Sequence, residues 1–199
     1  MKTLRLVLGD QLSRDLPSLK DLDPARDLVL MAEVMSEVTY VKHHKRKIAY
    51  LFSAMRHFAK SLGDDGIAVR YRRLDDPDNA GSLAGEVANA IAAFGPDRIV
   101  ITAPGEYRLS DEMVSWQARF GLDVDIRVDT RFLCSLDDFS GWAEGRKSLR
   151  MEFFYRDLRR RYQVLMEGDE PIGGKWNYDA DNRQPPKAGL AVPSPSSFA

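Results

Sequence analysis

Along the first two-thirds of the chain, short apolar runs alternate with longer stretches of helical period. The runs Leu4–Leu8, Leu28–Val34, Ala68–Leu74, Arg98–Thr102 and Val124–Val128 are short and bounded by turn residues, as buried strands are. Between the second and third, Val41, Ile48, Leu51, Phe52, Met55, Phe58 and Leu62 predict one long helix from Val38 to Leu62, closed by Gly63. Further helices are predicted over Leu83–Phe94, stopped by Gly95-Pro96, and over Asp111–Phe120, opened by a cap at Ser110. Strands separated by helices of these lengths predict an α/β fold. It is an open, five-stranded parallel sheet with helices on both faces and right-handed crossovers.

Beyond residue 133 the pattern changes. Ser135–Gly141 reads as a polar turn and Ser148–Met166 as a helix, followed by the Gly-, Asn- and Pro-rich GGKWNYDADNRQPP. The last stretch, AGLAVPSPSSFA, lacks periodicity and reads as a linker. The expected division is an α/β domain over residues 1–133 and a linker region with one amphipathic helix over residues 134–199. On that helix Met151, Phe154, Tyr155, Leu158, Tyr162 and Leu165 form an apolar stripe, with five arginines around it. A DNA-facing basic helix is one reading. The width of the stripe and its aromatics favour the other, a helix that packs on a further domain.

Composition narrows the function classes. The 199 residues carry a formal net charge of −1, so no global basic field argues for nucleic-acid binding. A single cysteine, Cys134, excludes a disulfide or a cysteine-built metal cluster within this chain. The apolar run at the start is broken by Asp10, too soon for a signal peptide, and no stretch approaches a membrane span. A cytoplasmic protein without a membrane partner is expected. No GxGxxG follows the first strand, and neither GxxxxGK[ST] nor GxSxG occurs.

Candidate chemistry collects where strands end. In open α/β sheets, ligands bind beyond the carboxyl ends of the strands where the strand order reverses. Gly9-Asp10-Gln11 follows the first strand and reads either as an ordinary turn or as one wall of such a crevice. The loop after the fourth strand, Ala103 to Arg108, combines a permissive Gly105 with the carboxylate of Glu106, the ring of Tyr107 and the guanidinium of Arg108. After the second strand come Glu33, Met35, Glu37, Tyr40, His43, His44 and Lys47. If the long helix is continuous, Tyr40, His43 and Lys47 share a side and His44 turns toward Ile48 and Leu51. Adjacent helical histidines diverge by about 100°, which disfavours a shared metal.

Four segments together carry a family resemblance: LGDQL at 8–12, EVTYVKHHKRKIAYLFSAMRHFA at 37–59, MEFFYR at 151–156 and GGKWNYD at 173–179. The chain resembles the deoxyribodipyrimidine photolyase-related proteins, the bacterial (6-4) photolyase and cryptochrome branch of the photolyases. That resemblance implies an N-terminal Rossmann-like antenna domain leading into a larger helical domain. In the family, the helical domain carries FAD and a 4Fe–4S cluster and acts on (6-4) photoproducts in damaged DNA or in light signalling. The α/β domain holds 6,7-dimethyl-8-ribityllumazine, an antenna that passes excitation energy to the flavin. Carried onto this sequence, the lumazine pocket falls on Gly9, Asp10, Gln11, Glu37, Tyr40, His43 and Leu51, with Glu33, Met35 and Glu106 added. No catalytic or metal-ligating residue is implied. The FAD and cluster sites have no counterpart here, so the expected partner is a missing C-terminal helical domain, and contact with DNA is expected only through the full-length protein. Two other readings stay open on the residues alone: a flavodoxin-like module for a phosphate-bearing ligand, and a partner-docking module without catalysis.

Overall fold

The computed structural model describes residues 1–179, 182, 185–191, 193 and 194. The chain divides into two units, Met1–Ser135 and a second beginning at Leu136. In the first unit, strands β1 (Thr3–Leu6), β2 (Leu28–Ala32), β3 (Val69–Arg72), β4 (Arg98–Thr102) and β5 (Asp123–Arg127) alternate with helices. The helices are α1 (Met35–Thr39), α2 (Lys45–Asp64), α3 (Leu83–Phe94), α4 (Tyr107–Val114) and α5 (Trp116–Phe120). All strand pairs are parallel, in the order β3-β2-β1-β4-β5. The α/β class is as expected, and the order reverses between β1 and β4.

Side chains alternate across the sheet, and the two faces bury different things. Leu4, Leu6, Leu30, Ile99 and Ile101 meet Val87, Met113 and Trp116 from α3, α4 and α5. On the opposite face Val7, Val29 and Met31 meet Met55, Ala59 and Leu62 of α2. No helix joins β1 to β2. Residues 7–27 instead form a loop with one 3-10 turn at Pro17–Leu19, which covers the β1–β4 part of that second face.

Under this loop the buried layer is ionic. Arg5 lies in the middle of β1 and is 1% exposed. Its guanidinium donates to Asp27 at 2.7 Å, to the Ser18 carbonyl at 2.6 Å and to Asp21 at 2.8 Å. Arg127 of β5 reaches the same Asp21 at 2.6 Å. The Arg127 hydrogen bond holds the Asp21 carboxyl well below the usual carboxylate range against partial burial, and Arg5 adds to it. A carboxyl depressed in the folded state stabilises above its unfolded pKa and ceases to do so as acid protonates it. We therefore expect the urea midpoint to be flat above about pH 5 and to fall steadily below about pH 4. A midpoint that stays level down to pH 3 would contradict this.

Two expected helices of this unit differ. The single helix over residues 38–62 is two, α1 and α2, separated at residues 40–44, and Gly63 lies inside α2, which runs on to Asp64. The helix expected from Asp111 starts at Tyr107 with Glu106 at its cap position, so Ser110 is internal, and it breaks at Ser115. Gly95 takes the left-handed conformation (φ 62°) that ends α3, as its position predicted.

The second unit contains α6 (Leu136–Ala143), α7 (Met151–Tyr162) and a hairpin of β6 (Met166–Glu167) with β7 (Glu170–Pro171). The polar turn expected at 135–141 is thus largely helix: Phe139 and Trp142 recur at helical spacing and meet Phe154 of α7 at ring distances of 5.2 and 4.9 Å. The helix expected to reach Met166 stops at Tyr162 because Gln163 is left-handed (φ 54°) and buried Arg159 binds the carbonyls of Val164 and Leu165. Of the stripe, Phe154 is buried, whereas Met151, Tyr155, Tyr162 and Leu165 are exposed. Arg156 and Arg160 pair with Glu152 and Asp157 and crowd the Trp176 ring with Arg159. At Gly173 (φ 77°) a Cβ would collide with the Tyr178 hydroxyl, which donates to the Gly173 carbonyl at 3.0 Å. The expected linker extends over residues 192 and 195–199, and the GGKWNYDADNRQPP stretch over 180, 181, 183 and 184, which lie outside the described residues.

Candidate functional site

At the carboxyl end of the sheet, where the order reverses, the β1 and β4 loops face each other. A Cβ on Gly105 would stand 4.0 Å from the Asp10 carboxylate, and one on Gly9 would press the Met55 sulfur at 3.1 Å and Leu51 at 3.5 Å. Bare glycine backbone lets the first loop lie against α2. Between the loops, α1 and α2 is a cavity of about 310 Å³. Its floor is apolar, from Leu8, Ala32, Leu51, Phe52 and Met55, and its rim is polar, from Asp10, Glu37, His43, Lys47 and Glu106.

Seven of the ten expected residues meet here: Gly9, Asp10, Glu37, Tyr40, His43, Leu51 and Glu106. Three do not line the cavity, each for a visible reason. Gln11 is fully buried, and its amide donates to the carbonyls of Thr102 and Ala103 at 3.1 and 3.2 Å, bracing β1 against β4. Glu33 is fully buried, binding Arg56 through two bonds of 2.6 and 2.8 Å, the Tyr71 hydroxyl at 2.6 Å and the Leu74 amide at 3.0 Å. Burial pushes its carboxyl up, but the bonds from Arg56, Tyr71 and Leu74 prevail and hold it below the usual range. Met35 opens α1 with half its surface exposed.

The helix break revises the geometry of the histidines. Tyr40 caps α1, and His43 stands in the connector with its ring 5.3 Å from Tyr40, edge to face. His44 does not pack toward Ile48 and Leu51. It is exposed at the N-cap of α2, where its Nδ1 accepts from the Arg46 amide at 3.1 Å. Among the described residues no three His, Cys, Asp or Glu side chains converge as metal ligands.

Arg108 organises the rim, and sequence reasoning left it out of the expected pocket. It grips both oxygens of Glu37 at 2.6 and 3.1 Å, binds Glu106 at 2.8 Å, and lies 4.4 Å above the Tyr40 ring. Hydrogen bonds donated to Glu37 and then Glu106 raise the guanidinium further above its ordinary value. The sequence signal was a carboxylate and an arginine two residues apart after β4. What they reach, 71 residues back at Glu37, only the fold determines.

A doubly covered parallel sheet with a cavity at its switch point defines a Rossmann-like α/β domain with a candidate ligand site. The chain belongs to the deoxyribodipyrimidine photo-lyase-related protein family, which it matches over residues 5–199. It is 52% identical over 199 residues to a (6-4) photolyase of Agrobacterium fabrum, an alignment covering all of this chain and 39% of that protein. It is also 27% identical over 149 residues to an uncharacterized protein of Acanthamoeba polyphaga mimivirus, covering 73% of this chain and 74% of that one. The chain thus spans about two-fifths of the length of its photolyase relative. Among the described residues no helix is long and apolar enough to cross a membrane.

Proposed function

We propose that the Met1–Ser135 unit is the antenna-binding part of a photolyase-related flavoprotein, and that its switch-point cavity holds 6,7-dimethyl-8-ribityllumazine. The observation that carries the reading is the cavity itself, apolar below and acidic at the rim. Its 310 Å³ sits at the lower end of the ~300–1,000 Å³ typical of small-molecule sites, which suits one compact bicyclic ring with a short tail. When bound, such a ring absorbs light and passes the excitation energy to a flavin. Leu51, Phe52 and Met55 offer a dry apolar floor for a planar heterocycle, and Tyr40 and His43 offer ring edges beside it. The carboxylates of Asp10, Glu37 and Glu106 accept hydrogen bonds from the hydroxyls of a ribityl chain. No side chain here is arranged as a nucleophile with its base, so the unit's task is to bind, orient and exclude water.

The flavin acceptor, the iron–sulfur cluster and DNA containing (6-4) photoproducts belong, on this proposal, to a helical domain that continues such a protein, acting in the cytoplasm. Identity to a (6-4) photolyase along the whole of this chain supports that assignment. A phosphate-bearing ligand is less well served. Helix N-termini are the usual phosphate cradles in this fold; here β1 runs into a loop, and the α4 N-terminus that reaches the cavity carries the Glu106 carboxylate, which repels a phosphate.

Adding lumazine to the concentrated chain tests the proposal. We expect saturable binding near one equivalent, seen as a rise in lumazine fluorescence anisotropy and in melting temperature. Free-ligand anisotropy throughout a titration to millimolar concentration would refute it.

A further inference from the structure

We infer that Arg108 positions the polar rim of the β1/β4 cavity and, because two carboxylates already occupy it, makes that rim select a ligand bearing neutral hydroxyls over one bearing a phosphate. This rests on the chromophore reading above. Arg108 is not itself among the residues that line the cavity, yet three groups it touches are: Glu37, Glu106 and Tyr40. A guanidinium presents its donors in a rigid planar fork. Here one edge of the fork takes Glu37 from α1, Nε takes Glu106 from the β4 loop, and the flat face covers Tyr40. One side chain thereby sets the orientation of two acceptors and one ring drawn from two separate elements.

The same arrangement decides charge. With Asp10, three carboxylates line the cavity, faced there by Lys47 and the imidazole of His43. Arg108, the cation that would otherwise meet a phosphate, is consumed behind the rim. A phosphate monoester carries about −1.5 to −2 at pH 7 and must approach this acidic lining, whereas ribityl hydroxyls donate to it. Removing the carboxylates should free the guanidinium and reverse the preference.

Two independent arms test this. In the first, the chain is titrated with the lumazine and with its 5′-phosphate ester. The native chain should bind the parent at least tenfold more tightly. Arg108→Met should weaken the parent about tenfold and shift the absorption band of whatever remains bound, and Arg108→Lys, which restores charge without the fork, should recover only part of both. Equal binding of the two compounds by the native chain, or native affinity and an unmoved band in R108M, would overturn the inference. In the second arm, which needs no chromophore, inorganic phosphate is added against sodium chloride of equal ionic strength. The melting temperature should rise for the E37Q/E106Q double variant and not for the native chain. A rise in the native chain as large as in the variant, or none in either, overturns the inference. If neither lumazine compound binds the native chain, the chromophore reading fails by itself, and the phosphate arm still decides the role of Arg108.

Discussion

Leu51→Trp should abolish chromophore binding while leaving the fold intact, with affinity falling about a hundredfold or more. Leu51 projects from α2 into the cavity floor, and its Cδ2 stands 3.5 Å from where a Gly9 Cβ would be. An enlarged ring cannot move toward β1, because the Gly9 backbone and Met55 already fill that side. It must move into the 310 Å³ of free space, which a lumazine ring needs for itself. Overpacking a closed core typically costs about 1–3 kcal/mol, but here the added indole enters open volume and the folding cost should be small. Isothermal titration with lumazine, beside a thermal melt of the same sample, separates the two effects. Leu51→Met, close in volume, is the control and should bind within about threefold of the native chain. If Leu51→Trp binds lumazine as tightly as the native chain, the ligand does not occupy this cavity.

The second large effect concerns stability. Glu33→Ala should lower the unfolding free energy by about 2–4 kcal/mol. Glu33 follows β2 directly and is fully buried, and it gathers Arg56 from α2, the Tyr71 hydroxyl from β3 and the Leu74 amide. Its own carbonyl accepts from the Asn79 side chain at 2.7 Å. Removing the carboxylate strands the Tyr71 hydroxyl and the Leu74 amide and releases Arg56. Breaking a fully enclosed ion pair costs about 3–5 kcal/mol. The expected loss is somewhat smaller because Arg56 is 42% exposed and can turn to water. Glu33→Gln keeps one acceptor oxygen, enough for the Leu74 amide, and its NH2 can donate to the Tyr71 hydroxyl oxygen, so about half the loss should return. Urea unfolding of the three chains checks the order, and an unchanged midpoint for Glu33→Ala would mean that the cluster does not tie α2 to the sheet. The same variant should also weaken lumazine binding modestly. Arg56 lies one residue from Met55, and α2 is the cavity's apolar wall.

The chain's own pattern was enough for the α/β class and for five strands in their places. Buried parallel strands are largely apolar runs; β2 is one throughout, and β1 and β4 are apolar apart from Thr3, Arg5, Arg98 and Thr102. It was enough, too, for most of the lining of the switch-point cavity. Gly9, Asp10 and Glu106 follow strands whose carboxyl ends must meet at a switch point, and Glu37 through Leu51 follow the strand next door. What it could not show is where local preference yields to distant partners. Residues 38–62 carry an unbroken helical period, with no Gly or Pro before Gly63, yet the chain breaks at 40–44. Tyr40 and Glu37 are held by Arg108, about 70 residues on, and a bidentate ion pair with a stacked ring outweighs the few tenths of a kcal/mol by which helix propensities differ. Glu33 and Gln11 look like polar groups waiting for a ligand. Folding satisfies them internally, because a buried carboxylate or amide must find its partners within the protein. The sequence by itself determined which segments form the sheet and which of its loops gather at the switch point. Tertiary structure alone decided which polar side chains are left facing the cavity, since that depends on partners brought together from segments far apart in the chain.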